Sequence, residues 1–298
     1  MNINYLNSFL EVVKDNSISK AAKNLHMTQS ALSQQIQALE KLLNCELMIR
    51  SNKGIGLTEE GEIVQSYSET LINIYENMLK ELEQCKKSNM QNIKISSCSA
   101  VGQYLLPCTL HLYKKDRGGI KFLLKSEDSK EVIDHVLDCS YDIGFIDSEV
   151  NLPGIECFRI CNNDLIFVYS NKRDIPKDPL TLEDIYSLPL ILSSEGTTTR
   201  ELIKGLLSNN NINNLNIEME LDSIEAIKAS VIADHGVSIL PYTSVKKEIY
   251  SKVLKKATIA ELNPSCKICM IYNKNMASKE HVRDFIDYIK RYGRETFC

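Results

Sequence analysis

No stretch of this 298-residue chain approaches the roughly 18 consecutive apolar residues that a membrane-spanning helix requires. Its first apolar run, Tyr5 to Val13, is already broken by Asn7 and Glu11. Missing too are the sequence marks of common enzyme classes: there is no GxSxG elbow, P-loop, GxGxxG or HExxH. The five histidines, His26, His111, His135, His235 and His281, are scattered, and none stands near a Ser or Cys in a recognisable nucleophile motif. No catalytic residue, metal ligand or cofactor site is therefore assigned, and an α/β enzyme is the least favoured reading. A disordered chain is excluded by 43% hydrophobic and 25% charged residues, an ordinary globular balance. With no signal peptide, a cytoplasmic protein whose ten cysteines are reduced thiols is expected.

Positive charge is also scarce, since the net charge is -4. That sum hides a segregation. Residues 1–58 carry six Lys and Arg against four Asp and Glu, a net of +2, which leaves -6 for the remainder. A basic end on an acidic chain points to DNA at that end.

The stretch Ser17 to Leu57 says the most. Ile18, Ala21, Ala22 and Leu25 keep one face of a short helix apolar, and Ala31, Leu32, Ile36, Leu39, Leu42 and Leu43 do so for a longer one. His26-Met27-Thr28 between them leaves room only for a tight turn, with the Thr28 hydroxyl placed to cap the second helix. This is a helix-turn-helix layout. Opposite the leucines stand Gln29, Ser30, Ser33, Gln34 and Gln37, uncharged hydrogen-bonding groups where solvated helices usually carry Glu and Lys. Gln can pair bidentately with adenine, and Ser can bond a phosphate or base edge. Arg50-Ser51-Asn52-Lys53-Gly54-Ile55-Gly56-Leu57 then reads as the wing of a winged helix, with Arg50 and Lys53 meeting phosphates.

Here the sequence resembles the LysR-type transcriptional regulators. The matching residues are Phe9, Val12, Ser17, Ala21-Ala22, Leu25, Thr28 to Ser33, Ile36, Leu39-Glu40, Leu43, Leu47, Arg50, Leu57-Thr58 and Gly61. Two positions depart from the family pattern. Gln34 replaces a frequent Arg, which bears on base preference, and Asn16 replaces a usual Gly, which alters only a turn.

Residues 59–89 read as one long helix, with Val64, Tyr67, Leu71, Ile74 and Met78 spaced three and four apart and Leu82 and Cys85 continuing after a shift. The resemblance makes this the family's dimerising linker. From residue 90 onward the pattern alternates. Strands are expected at 93–96, 120–124, 143–146, 165–169, 190–192, 217–221 and 237–240, with helices at 101–114, 130–138, 200–207 and 224–233, an α/β arrangement with largely parallel sheets. Leu105-Leu106-Pro107, Asp142-Ile143-Gly144, Thr199-Arg200, Glu225-Ala226-Ile227 and Gly236 to Pro241 are similar to the effector domain of the family. That domain is a two-lobed α/β fold like a periplasmic solute-binding protein, with lobe one at 90–160 plus 267–298 and lobe two at 161–266.

Hydroxyls collect where strands pass into helices: Ser97, Ser99 and Ala100, then Ser129 after the capping box Asp128/Glu131, then Thr197, Thr198 and Thr199 before Arg200, then Ser223. Helix N-termini attract anions, and α/β folds place ligands at these ends. The family uses matching positions for its co-inducer, so a small anionic metabolite is expected there. Arg200 is either an electrostatic anchor or a partner within lobe two. The threonine run and Ser223 to Lys228 resemble the branch of the family concerned with sulfur and related anions. Cys266/Cys269 and Cys157/Cys161 lie in strand-like sequence, where residues three apart face opposite ways, yet a redox or metal-responsive regulator stays open as the alternative.

The expectation is thus an α/β multidomain regulator: a winged helix-turn-helix over 1–58, a linker helix over 59–89 and an effector domain over 90–298. Its partners would be promoter DNA, a small effector and a second copy or three further copies of itself. RNA polymerase is a further partner this reading admits.

Overall fold

Asn2 and Ser17 start the first two helices in the same way, each side chain accepting a backbone N–H two or three residues on, from Asn4 at 3.0 Å and Lys20 at 3.3 Å. Helix α1 spans Ile3–Asp15, α2 Ile18–Asn24 and α3 Gln29–Leu43. Thr28 caps α3 as its sequence implied, accepting from Ala31 N at 3.2 Å. Leu6, Phe9, Val12, Ala21, Ala22, Leu32, Ile36, Leu39 and Leu47 close one small core beneath the three helices. Each buried Leu, Ile or Phe there contributes about 1.5–3 kcal/mol. The computed structural model describes residues 2–51, 54–87, 91–208, 215–260, 264–274 and 279–297.

The wing is the antiparallel pair β1 (Met48–Ser51) and β2 (Gly54–Leu57). Asn16 does more than alter a turn. It ends α1 in the left-handed conformation at φ 49°, and its Oδ1 accepts the Ile55 amide of the wing at 2.7 Å. Glycine would allow the turn but leave that amide without this acceptor.

Helix α4 runs from Glu59 to Lys87. Gly61 lies so close to the Leu47 carbonyl that a Cβ would collide with it, which ties the first turn of α4 to the wing strand. Val64, expected in the linker's seam, packs on the head core instead. The exposed apolar row is Ile63, Tyr67, Leu71, Ile74, Met78 and Leu82, with Tyr67 70% exposed. Periodicity alone could not choose between Ile63 and Val64, because both lie near the same stripe.

The chain divides into two compact units, residues 1–89 with 137–140 and residues 90–136 with 141–298. In the second unit, β3 (Gln91–Cys98) runs parallel to β4 (Ile120–Glu127) and to β5 (Ile143–Ile146). Two long strands, β6 (Ile155–Ser170) and β11 (Ser265–Asn273), pair antiparallel with each other, and β11 pairs antiparallel with β5. The second half of β6 pairs with β9 (Ser238–Pro241) and β10 (Leu254–Ala257). Strands β7 (Leu190–Ser193) and β8 (Ile217–Leu221) are parallel, and Leu190 bridges to Val237. β6 and β11 thus pass between two half-sheets, lobe one and lobe two, making the sheets more mixed than the expected parallel ones. β10 escaped the sequence pattern, while the strand-like reading at Cys266 and Cys269 falls on β11.

Lobe one carries α5 (Ser99–Tyr104), α6 (Leu106–Arg117), α7 (Ser129–Leu137) and α12 (Glu280–Thr296). The single helix expected over 101–114 breaks at Leu105, because Pro107 has no N–H for the preceding turn and so opens a new helix. Lobe two carries α8 (Leu182–Ser187), α9 (Thr198–Ser208), α10 (Ile224–Ile232) and α11 (Tyr242–Tyr250). The capping box at α7 is present, with Glu131 N donating to Asp128 Oδ1 at 2.8 Å and Asp128 N to Glu131 Oε2 at 3.3 Å. No helix among the described residues is long and apolar enough to cross a membrane.

Candidate nucleic-acid interface and effector cleft

On α3 the buried positions Leu32, Ile36 and Leu39 fix which side faces out. Gln29, Ser30, Gln34 and Gln37 are exposed and Ser33 is half-buried. Ser30, Ser33, Gln34 and Gln37 are three, four and seven residues apart, so they share one face. Thr28 is exposed, and its hydroxyl, used in the cap, is 3.2 Å from Ser30 Oγ. Gln35, one residue from the face, turns inward and accepts from Ser8 Oγ at 2.5 Å. Arg50 stands on β1, while its side chain and all of Lys53 lie outside the described residues.

In the second unit, strand ends bring a different group together. Cys98 ends β3, Ser129 opens α7 after β4, and Asp147 follows β5. Ser129 Oγ donates to Asp147 Oδ1 at 2.8 Å. From lobe two, Thr199 stands half-buried in the first turn of α9. Burial pushes the Cys98 thiol well above the usual range; Asp147 adds to the rise and the Val101 amide opposes it. Burial likewise pushes Cys266 up to about 12, with Asp147 adding. Both sulfurs are therefore neutral thiols at physiological pH, polarisable walls rather than nucleophiles. Cys98, Ser129 and Asp147 thus gather at the ends of β3, β4 and β5 in lobe one.

The other expected residues are placed as follows. Ser99 is half-buried at the first position of α5, beside buried Ala100. Ser97 is fully buried, with its hydroxyl donating to the Cys98 carbonyl at 3.1 Å. Thr197 is 2.8 Å from Ser193 Oγ and caps α9 by accepting from Arg200 N at 3.3 Å, while Thr198 is half-buried. Arg200 is only 2% exposed and pairs within lobe two, its Nη2 donating to Glu220 Oε1 at 2.6 Å. Its Nε and Nη1 are buried without hydrogen-bond partners. Ser223 precedes α10, is exposed, and makes no side-chain cap bond.

Asp147 and Cys98 escaped the sequence reading, which named Cys266 only with Cys269 as a redox or metal pair. Asp147 stands at the carboxyl end of a parallel strand, a position that could have marked it. Cys266 and Cys269 are both buried, and a register shift between Ile268 and Cys269 interrupts the simple alternation between them. Burial, followed by the neighbouring Cys157, pushes Cys269 up to about 12. Among the described residues no group of His, Cys, Asp and Glu could hold a metal. Cys108 is disulfide-bonded, against the expectation of reduced thiols throughout, a pairing that composition and chain length do not reveal.

Residues 3–62 match the family model for bacterial regulatory helix-turn-helix proteins of the lysR family, and residues 87–294 match the LysR substrate binding domain. The chain belongs to the LysR family. Its relatives include a probable RuBisCO transcriptional regulator of Thalassiosira pseudonana, 28% identical over 90% of each chain. Another is the HTH-type transcriptional regulator SoxR of Arthrobacter sp., 29% identical over 97% of each. In fold, this LysR-family chain is similar to full-length CbnR in complex with its target DNA, with TM-score 0.64 and 21% identity over 98% of this chain and 99% of that one. The effector binding domain of QuiR in complex with shikimate matches at TM-score 0.61 and 23% identity, covering 70% of this chain and 100% of that one. The LysR-family protein described here is accordingly a DNA-binding transcriptional regulator with an effector-binding domain, not an enzyme.

Proposed function

We propose that this LysR-type regulator binds its promoter through residues 1–58, dimerises through the linker helix at 59–89, and senses a small anionic metabolite through residues 90–298. Ser30, Ser33, Gln34 and Gln37 read base edges, while Thr28, Gln29, Arg50 and Lys53 meet the backbone. The exposed apolar row Ile63 to Leu82 supports pairing of two α4 helices, which sets the spacing of two heads on DNA.

The observation that carries the sensing role is the gathering of Cys98, Ser129 and Asp147 at the strand ends of lobe one, with Thr197 to Thr199 at the start of α9 in lobe two. The first turns of α7 and α9 add N–H groups and partial positive charge for an anion. Ser99 and Thr197 to Thr199 are the favoured direct contacts, with Ser97, Ala100, Ser129 and Ser223 around them. Arg200, held by Glu220, supplies positive potential from within lobe two. A ligand touching both lobes changes their closure only by contacts that differ between the open and closed states. Altered closure then shifts the heads, the DNA bend and the contact with RNA polymerase.

A footprint on the DNA immediately upstream of the protein's own gene, with and without a panel of small anions, tests this. The expected result is protection that shortens or shifts with one compound. Protection that no compound changes would overturn the sensing role, and absence of protection would overturn the promoter assignment.

A further inference from the structure

The effector domain is acidic overall, but its charge is unevenly spread. Residues 90–298 hold 26 Lys and Arg against 28 Asp and Glu, a net of -2, yet residues 242–257 hold five Lys and one Glu. The structure gathers four of those lysines on one side of lobe two. Helix α11 turns Val245 and Ile249 to the core and leaves Tyr242, Lys246, Lys247 and Tyr250 outside, with Tyr250 90% exposed. Lys252 follows in the turn after α11, where its carbonyl accepts from Asn171 Nδ2 at 3.1 Å. Lys256 reaches back from β10, its ammonium 5.6 Å from the centre of the Tyr242 ring. Lys255, the fifth, alternates to the other face of β10.

None of the four has an ion-pair partner among the described residues. Glu248, the one acid of the segment, turns inward to buried Lys228 at 2.8 Å and does not neutralise them. β10 is the end strand of its sheet, and a lysine there keeps the edge from pairing with another chain. That accounts for Lys256 but not for Lys246, Lys247 and Lys252, which lie on α11 and its turn. The choice of cation narrows the partner. Protein interfaces are enriched in Arg and depleted in Lys, whereas a compact ammonium suits a phosphate. Residues 242–257 contain no Arg, Asn or Gln to read a base edge, while Lys and Tyr both bond the DNA backbone. We propose that this face of lobe two is a second, sequence-independent DNA contact, with Lys246, Lys247, Lys252 and Lys256 on the phosphates of duplex outside the stretch read by the head. The head itself carries a net charge of only +2, so four further ammonium groups add strongly to the positive footprint. Counterion release lets them tighten binding without choosing a sequence.

The test compares the full chain on two duplexes, one carrying the operator alone and one with the same operator flanked by several helical turns of unrelated sequence. One variant combines Lys246→Gln, Lys247→Gln, Lys252→Gln and Lys256→Gln; a second places Arg at the same four positions. The Gln variant should match the wild type on the short duplex and lose about tenfold or more on the long one, with the slope of log K against log salt there lowered by about 3. The Arg variant should keep wild-type binding to both. Equal affinity of wild type and Gln variant for the long duplex would overturn the DNA contact and leave an acidic protein surface as the occupant. Equal loss on both duplexes would place the effect in the head or in folding, and overturn it as well. Loss of the long-duplex advantage in the Arg variant would show that charge is not what acts, with the same consequence.

Discussion

The Tyr104 hydroxyl donates to Glu225 Oε1 at 2.5 Å, joining α5 of lobe one to α10 of lobe two. Beneath the pair, buried Lys228 bridges Glu225 at 2.9 Å and Glu248 at 2.8 Å, and its ammonium stands 5.2 Å from the centre of the Tyr104 ring. Because α5 begins at the site lining and ends at this latch, one short helix connects ligand contacts to the angle between the lobes.

Tyr104→Phe should cost about 0.5–1.5 kcal/mol in the unfolding of the effector domain, because water reaches this bond, measured by denaturant titration. Tyr104→Phe and Glu225→Gln should be non-additive, since each removes the same bond.

The latch should be insensitive to pH over the neutral range. The hydrogen bond from Tyr104, followed by that from Lys228, holds the Glu225 carboxyl below its usual range. A depressed carboxylate stabilises above its unfolded pKa and loses that contribution as pH falls through the folded value. For Lys228, burial is the largest influence and lowers its pKa, yet Glu248 and Glu225 outweigh it and leave it raised, so its contribution disappears only in strong base. The stability gap between wild type and Tyr104→Phe should stay constant from about pH 6 to 8 and shrink below about pH 4. A gap that changed steadily across pH 6 to 8 would contradict this assignment.

Neighbouring glutamines of α3 should behave differently. Gln34→Ala should cost about 1–3 kcal/mol at the preferred operator and relax base preference there, with unchanged stability. Gln35→Ala removes the acceptor of buried Ser8 and should destabilise the head by about 1–3 kcal/mol. Equilibrium unfolding and binding to a randomised operator library separate the two effects.

Arg50→Ala should weaken binding to all DNA sequences alike and lower the slope of log K against log salt by about 1. Selective loss at one base position would make Arg50 a base reader instead.

Replacing Tyr67 or Met78 with Asp puts a charge into the exposed row of α4 and should shift the protein towards monomer in sedimentation, with little change in the Tm of the head. An unchanged sedimentation coefficient would move the interface elsewhere.

Some of this architecture is written locally. The cap at Thr28, the capping box at Asp128 and Glu131, and the periodicity of α3 each depend on residues within one or two turns, so they could be read from neighbours in the chain. Helix α12 and strand β10 escaped notice because amphipathic or short buried runs near the end of a chain do not reveal what they pack against. The hydroxyls at strand ends were legible for the same local reason as the caps. Asp147 was not, because a lone Asp after a strand has no marking until β3, β4 and β5 lie side by side.

The sequence by itself determined the helix-turn-helix, the outward glutamine face and the α/β alternation, since helix caps and apolar spacing act over a few residues. Only the tertiary structure decided that Arg200 turns to Glu220, that Asp147 accepts from Ser129 and that Tyr104 of lobe one reaches Glu225 of lobe two. Those relationships join residues between 18 and 121 positions apart, and such pairings follow from strand register and lobe packing rather than from any local preference of the chain.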